Sequence, residues 1–247
     1  MISSLSLFGL NISFSSYTEF LDHFLHLARS RKSIGVAFMN SHMIYESHHS
    51  TEFNHLLNKI DIICPDGVPL LYSMRILGKA KSERIAGNDM ILSLLSKANS
   101  EKLKVFFYGS TEDVLGKIKF RMEREFPIVS TGYLSPPFGR IDEEELDRHA
   151  KEINVFESNI VLVGLGCPKQ EIWIAKMLGK INAPMFGVGG AFLLFAGIDS
   201  RAPKWIRNWG LEWFYRLIHE PQRLFKRYLI TNTYFCFLFM KELIRKM

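Results

Sequence analysis

Asp66 stands in the tripeptide Pro65-Asp66-Gly67, directly after the apolar run that begins at Asp61 and ends at Cys64. A carboxylate at the end of a buried strand is placed to take a proton as a general base. Asp-Gly is also a common turn former, and residue types alone leave both readings open. A second segment, GLGCPKQE from Gly164 to Glu171, has the look of a nucleotide loop but carries Lys169 where the third glycine of Gly-x-Gly-x-x-Gly would stand. Pro168 suits the first turn of a helix, whose free backbone N–H groups would face an anion above the strand end. Lys169 and Gln170 add a cation and an amide there; a plain strand-to-helix turn accounts for the same residues. Dinucleotide binding is the weaker reading, because no acidic residue closes a second strand about 20 residues later. GVGGAF, from Gly187 to Phe192, lets the backbone come close either to a ligand or to a packed helix. His42, His48 and His49 match no common zinc spacing and read as a solvated helix face. No Asp-x-Asp occurs, so a metal-held nucleotide diphosphate lacks its usual ligands.

These groups need a scaffold, and the chain alternates short β-rich runs with helix-length amphipathic segments. Strands are expected at Ile34–Met39, Asp61–Cys64, Val105–Tyr108, Ile128–Thr131, Ile160–Gly164 and Met185–Val188. Helices are expected at Thr18–Arg29, Gly67–Leu77, Asn88–Ala98, Glu112–Glu125, Asp142–Phe156 and Pro168–Leu178, with DEEELD at Asp142–Asp147 as an acidic helix start. The alternation predicts an α/β fold, a mostly parallel sheet with helices on both faces. Leu5–Ser15 reads as a hairpin. Ligands of such sheets bind at the carboxyl ends of the strands. Asn40, Pro65-Asp66-Gly67, Gly109-Ser110-Thr111, Gly164–Glu171 and Gly187–Gly190 all fall at that edge.

The rest of the chain differs in charge. From Arg201 to Met247 there are ten Lys/Arg against three Asp/Glu, whereas the whole chain is only +6, so the first 200 residues are nearly neutral. Three of the four Trp (Trp205, Trp209, Trp213) recur there every four residues, a stripe read partly as core packing. A boundary at Asp199–Pro203 divides a body, residues 1–199, from a basic helical appendage, residues 200–247. Pro221 starts a helix with Arg223 and Arg227 on one face and Leu224, Tyr228, Phe235 and Phe239 on another. Such a helix lies in a membrane interface or presents a solvated charged face. A nucleic-acid partner is the weaker fit, since the aromatics follow helical core spacing. The longest charge-free stretch of this tail, Tyr228–Met240, is shorter than the about 20 apolar residues of a spanning helix. Three cysteines without a CxxC pair suit a reducing compartment. The opening MISSLSLFGLNISFSS lacks the form of an export signal. An exposed tail of this kind could pack against a second copy.

RIAGND, GLGCPKQE, GVGGAF and RAPKWIRNWGLEWFYRLIHEPQRLFKRY together resemble the WecG/TagA/CpsF family of bacterial glycosyltransferases, from about Leu7 to Tyr228. The resemblance implies a Rossmann-like fold with a C-terminal appendage. It implies transfer of N-acetylmannosamine, its uronic acid or glucose from a UDP-sugar, with no cofactor or metal, to a polyprenyl-diphosphate-linked acceptor. The setting it implies is the cytoplasmic membrane surface and cell-surface polysaccharide synthesis. Asp66 matches the family's proposed base, and Asn40, Arg84 and Gln170 match positions lining its cleft. Gly166, Lys169, Glu171 and Gly189 lie within its motifs as further substrate contacts. Arg216, Arg223 and Arg227 match basic tail positions that can fold over the site and hold a diphosphate leaving group. Two positions depart from the family: Phe38 stands where Thr is usual, a change expected to bear on donor or acceptor choice, and Leu193 where Asp is usual. A non-catalytic membrane scaffold of the same fold is the competing expectation.

Overall fold

The computed structural model describes residues 2–78, 80–137, 139, 141–203, 206 and 211–246, with the side chain of Arg223 excepted. The chain opens on a hairpin, β1 (Ser3–Leu7) against β2 (Leu10–Phe14). Its two-residue turn holds both Phe8 and Gly9 at positive φ, 53° and 73°. That is the backbone twist a tight hairpin requires, easy for glycine and costly for phenylalanine. Phe8 is kept there by burial, its ring set edge-on to Phe235 with centroids 5.4 Å apart.

Six parallel strands follow: β3 (Ile34–Met39), β4 (Ile62–Pro65), β5 (Val105–Tyr108), β6 (Thr131–Leu134), β7 (Ile160–Val163) and β8 (Pro184–Gly187). They lie side by side in the order β4-β3-β8-β7-β5-β6. Helices α1 (Tyr17–Ser30), α5 (Gly87–Glu101), α6 (Glu112–Glu125) and α9 (Ala191–Phe195) bury their apolar residues in one core cluster. α2 (Ser41–His49), α3 (Thr51–Leu57), α4 (Val68–Leu77), α7 (Glu143–Val155) and α8 (Lys169–Met177) contribute to the other. Strand side chains divide between the clusters by the period of two, Val36 and Phe38 going one way and Ala37 and Met39 the other. With both faces covered, the strands read as unbroken apolar runs rather than alternating ones.

The strands fall within a residue or two of expectation except β6. The β-branched run at Ile128–Thr131 does not form it. Pro127 and the turn that follows α6 take up Ile128 and Val129, and pairing with Val105 begins only at Thr131. Local β-propensity gives way there to turn chemistry.

Among the described residues, α10 (Glu212–His219) and the 26-residue α11 (Pro221–Lys246) follow. α11 lies against α2 and α4, with Leu224, Thr231, Phe235 and Leu238 buried. Trp205 and Trp209 lie outside the described residues. Trp213 is 45% exposed, so it departs from core packing and stands edge-on to Phe214 and Tyr228. His48 and His49 do not form a purely solvated face either. His48 Nδ1 lies 3.2 Å from the Tyr234 hydroxyl, and its Nε2 donates to the Phe8 carbonyl at 2.9 Å, while Tyr234 packs edge-on to His49. Both histidines stay exposed, with Tyr234 of α11 touching their edges.

Candidate active site

Parallel pairing brings all the strand ends to one edge, and short contacts then fix their loops. Asn40 caps α2, its Oδ1 accepting from His42 N and Met43 N at 3.1 and 3.2 Å. Asp66 N donates to Met39 O at 2.9 Å, which pins the start of the β4 loop to the end of β3. Ile85 N donates to Pro65 O at 2.8 Å and draws Arg84 to the same place. Residues 40, 66 and 84, far apart in sequence, thus converge.

Asp66 keeps some contact with solvent but is crowded by protein. Burial pushes its carboxyl up to about 7; Arg84 opposes the rise, Glu212 and Asp89 add to it, and Arg216 opposes it. A group that titrates near neutral pH can both accept and release a proton there. The sign for stability follows from the ordinary value of 3.8. Between about pH 4 and 7 the folded chain holds a proton that the unfolded chain has lost, so this group's contribution to stability falls as pH rises. Asp66→Asn should therefore gain on the wild type between pH 5 and pH 8, read as the difference in Tm at each pH; a constant difference would contradict the shifted carboxyl.

The appendage reaches this site. Arg84 Nη1 and Nη2 both lie 3.3 Å from Glu212 Oε2 on α10. One turn on, Arg216 is close enough to the β8 loop that a methyl group at Gly190 would sit 3.8 Å from its Nη2. Arg227 lies near His42 and Cys167, and its positive charge adds to the burial that keeps the His42 imidazole low. Burial is the larger cause of that lowering. The side chain of Arg223 lies outside the described residues.

Gln170 and Glu171 face inward rather than toward the cleft. Gln170 is buried: its Oε1 accepts from Gly166 N at 3.1 Å and its Nε2 donates to Gly187 O at 2.8 Å. It welds the β7 loop to the β8 loop. Gly189, at φ 48°, leaves the room this needs, since a Cβ there would meet Gln170 Oε1 at 3.0 Å. Glu171 is fully buried, and burial pushes its carboxyl up to about 7 against hydrogen bonds from Gln170, its own backbone N–H and the Cys167 thiol. Lys169 alone of this set is exposed. Phe38 does not line the cleft; its ring is buried against Gly87 in the core.

Three charged residues at the site were missed from sequence: Asp89, Arg201 and Glu212. Each stood inside a quoted motif (RIAGND, RAP, GLEW) as a charge among apolar neighbours, which was the available signal. A separate groove of about 530 Å³ between α6 and α9 lies on a flank of the sheet. Of its charged side chains Lys117 pairs with Asp113 and Arg121 with Glu125, each at 2.9 Å, while Arg124 lies over the Phe120 ring.

A profile of the glycosyl transferase WecG/TagA/CpsF family matches residues 5–247. The chain belongs to that family. It is similar to the "N-acetylglucosaminyldiphosphoundecaprenol N-acetyl-beta-D-mannosaminyltransferase" of Bacillus spizizenii, 32% identical over 211 residues, 85% of this chain and 80% of that one. The protein of the same name from Bacillus subtilis is 31% identical over 222 residues, 89% of this chain and 85% of the relative. That from Staphylococcus aureus (strain MW2) is 31% identical over 170 residues, 68% and 65%. As a WecG/TagA/CpsF protein the chain is a glycosyltransferase, and its α/β body with a helical appendage is the fold its motifs implied.

Proposed function

We propose that the protein moves N-acetylmannosamine from a UDP-sugar to an N-acetylglucosaminyl-diphosphate lipid at a membrane surface, by an inverting displacement that needs no metal. The observation that carries this reading is the near-neutral carboxyl of Asp66 at the β4 end, with the guanidiniums of Arg84 and Arg216 around it. The acceptor hydroxyl gives its proton to Asp66 as its oxygen forms a bond to the anomeric carbon of the donor. The bond from that carbon to the diphosphate breaks on the opposite face, and its electron pair leaves with UDP. Arg216, with Arg227, supplies the positive charge that the departing diphosphate requires. The relatives' names supply the sugar and the acceptor; the glycine-rich loops and Lys169 supply the anion-binding edge.

The membrane part of the reading rests on the outer face of the appendage. Trp213, Phe214 and Ile218 of α10 and Phe225, Leu229, Phe237 and Ile244 of α11 are all exposed, beside Lys226 and Arg245. Apolar side chains in such number on one pair of helices, interleaved with cations, suit an anionic lipid interface. Among the described residues no helix is long and apolar enough to cross a membrane. The triple variant Phe225→Glu, Leu229→Glu, Phe237→Glu should lose binding to anionic vesicles in a flotation assay and keep its fold; unchanged flotation would remove this face from the proposal. The activity is tested by UDP release from a panel of UDP-sugars with a lipid-diphosphate acceptor. UDP-N-acetylmannosamine should be turned over fastest, and absence of acceptor-dependent release from every donor would overturn the reading.

A further inference from the structure

Beside Asp66, two guanidiniums share two carboxylates. Arg201, in the segment between α9 and α10, places Nη1 2.8 Å from Asp89 Oδ1 and Nε 3.7 Å from Glu212 Oε1. Arg84 approaches the same pair, 3.3 Å from Glu212 Oε2 and 3.6 Å from Asp89 Oδ2. The side chains of Arg201 and Glu212 are 20% and 14% exposed, so water screens these contacts only in part. Arg201 Nε and Nη2 are closed to solvent with no hydrogen-bond partner among the described residues. Its ion pairs are with these two carboxylates.

The charged and titratable groups acting on Asp66 come from three directions. Cys64 lies on its own strand, Arg84 and Asp89 come from the start of α5 and the segment before it, and Glu212 and Arg216 come from α10. Asp66, Asp89 and Glu212 set three negative charges against the three positive charges of Arg84, Arg201 and Arg216. Without Arg201, Asp89 and Glu212 would both turn to Arg84, and the described groups around Asp66 would lose their excess of one positive charge. A carboxylate with more negative neighbours holds its proton more tightly.

We propose that Arg201 is a positioning residue for the base: by pairing with Asp89 and Glu212 it keeps their charge off Asp66 and stops them drawing Arg84 away. This rests on the reading of Asp66 as the base, and it also joins the body to the appendage, since Asp89 belongs to one and Glu212 to the other.

The test follows the Asp66 carboxyl by ¹³C NMR through a pH titration of the full-length protein, alongside the acid limb of kcat/KM. Arg201→Gln should raise both midpoints by about half a pH unit to one unit. Glu212→Gln should move them down, and the double variant should fall nearer the wild type than Arg201→Gln does. A merely structural defect would depress kcat at every pH and leave the midpoint in place. An unmoved carboxyl midpoint in folded Arg201→Gln overturns the proposal. If that variant fails to fold, Glu212→Gln is compared with the double variant. Only a small residual shift through Asp89 is expected between them, and a shift of a full unit overturns mediation by Glu212. Should Asp66→Asn retain turnover, the base reading fails on its own, while the NMR midpoint still reports whether Arg201 governs the Asp66 charge.

Discussion

Asp66→Asn should lower kcat/KM for sugar transfer by about 10²- to 10⁴-fold, the usual worth of a general base. Asparagine keeps the size of the side chain and the turn, and the backbone bond from residue 66 to Met39 O does not involve the carboxyl. It also removes a charge whose burial is unfavourable, so the variant should fold at least as well as the wild type. UDP affinity should stay close to the wild-type value, because Arg216 and the glycine-rich loops are untouched. Steady-state UDP release and calorimetric titration with UDP separate the two effects. Near-normal turnover would remove Asp66 from the role of base; lost UDP binding would make it a structural residue.

Phe235→Ala should be the most damaging single change outside the cleft. The ring is 5% exposed and packs on Phe8 and the cluster formed with α2, α3 and α4. Truncating a buried Phe to Ala costs about 3–5 kcal/mol, and here the loss falls on the seam that holds α11 to the body. The appendage should loosen while the sheet stays intact, carrying Arg216 and Arg227 away from the site. Hydrogen exchange should then show faster amide exchange in α11 than in β3 and β8, together with a collapse of transfer. Full activity with a freely exchanging α11 would mean the appendage is not needed for chemistry.

Much of the scaffold was legible because its strands are buried on both faces. An apolar run such as Ile34–Met39 or Val105–Tyr108 has no competing local interpretation once helical segments flank it. β6 was misplaced because Ile128 and Val129 look like strand residues, and only the geometry after Pro127 assigns them to a turn. Asp66 could be singled out from its place after an apolar strand, although Gly67 beside it left a plain turn as the other reading. The direction in which Gln170 and Glu171 face could not, since the first turn of a helix offers inward and outward positions of equal sequence character. The charge network was hidden for a different reason. Arg84 and Glu212 meet across 128 residues, and nothing local to either names its partner. Similarly, Phe38 looked like a change in the cleft and proved to be a core residue, because helices cover both faces of the sheet and its ring packs against Gly87 at the start of α5.

The central claim is a single inverting displacement, with Asp66 as base and arginines in place of a metal. It is tested most directly by the anomeric configuration of the product formed from an α-linked UDP-sugar in the presence of a chelator, read by NMR. A β-linked product at an undiminished rate is the predicted result. An α-linked product, or turnover that stops with the chelator and returns with a divalent cation, would contradict the account.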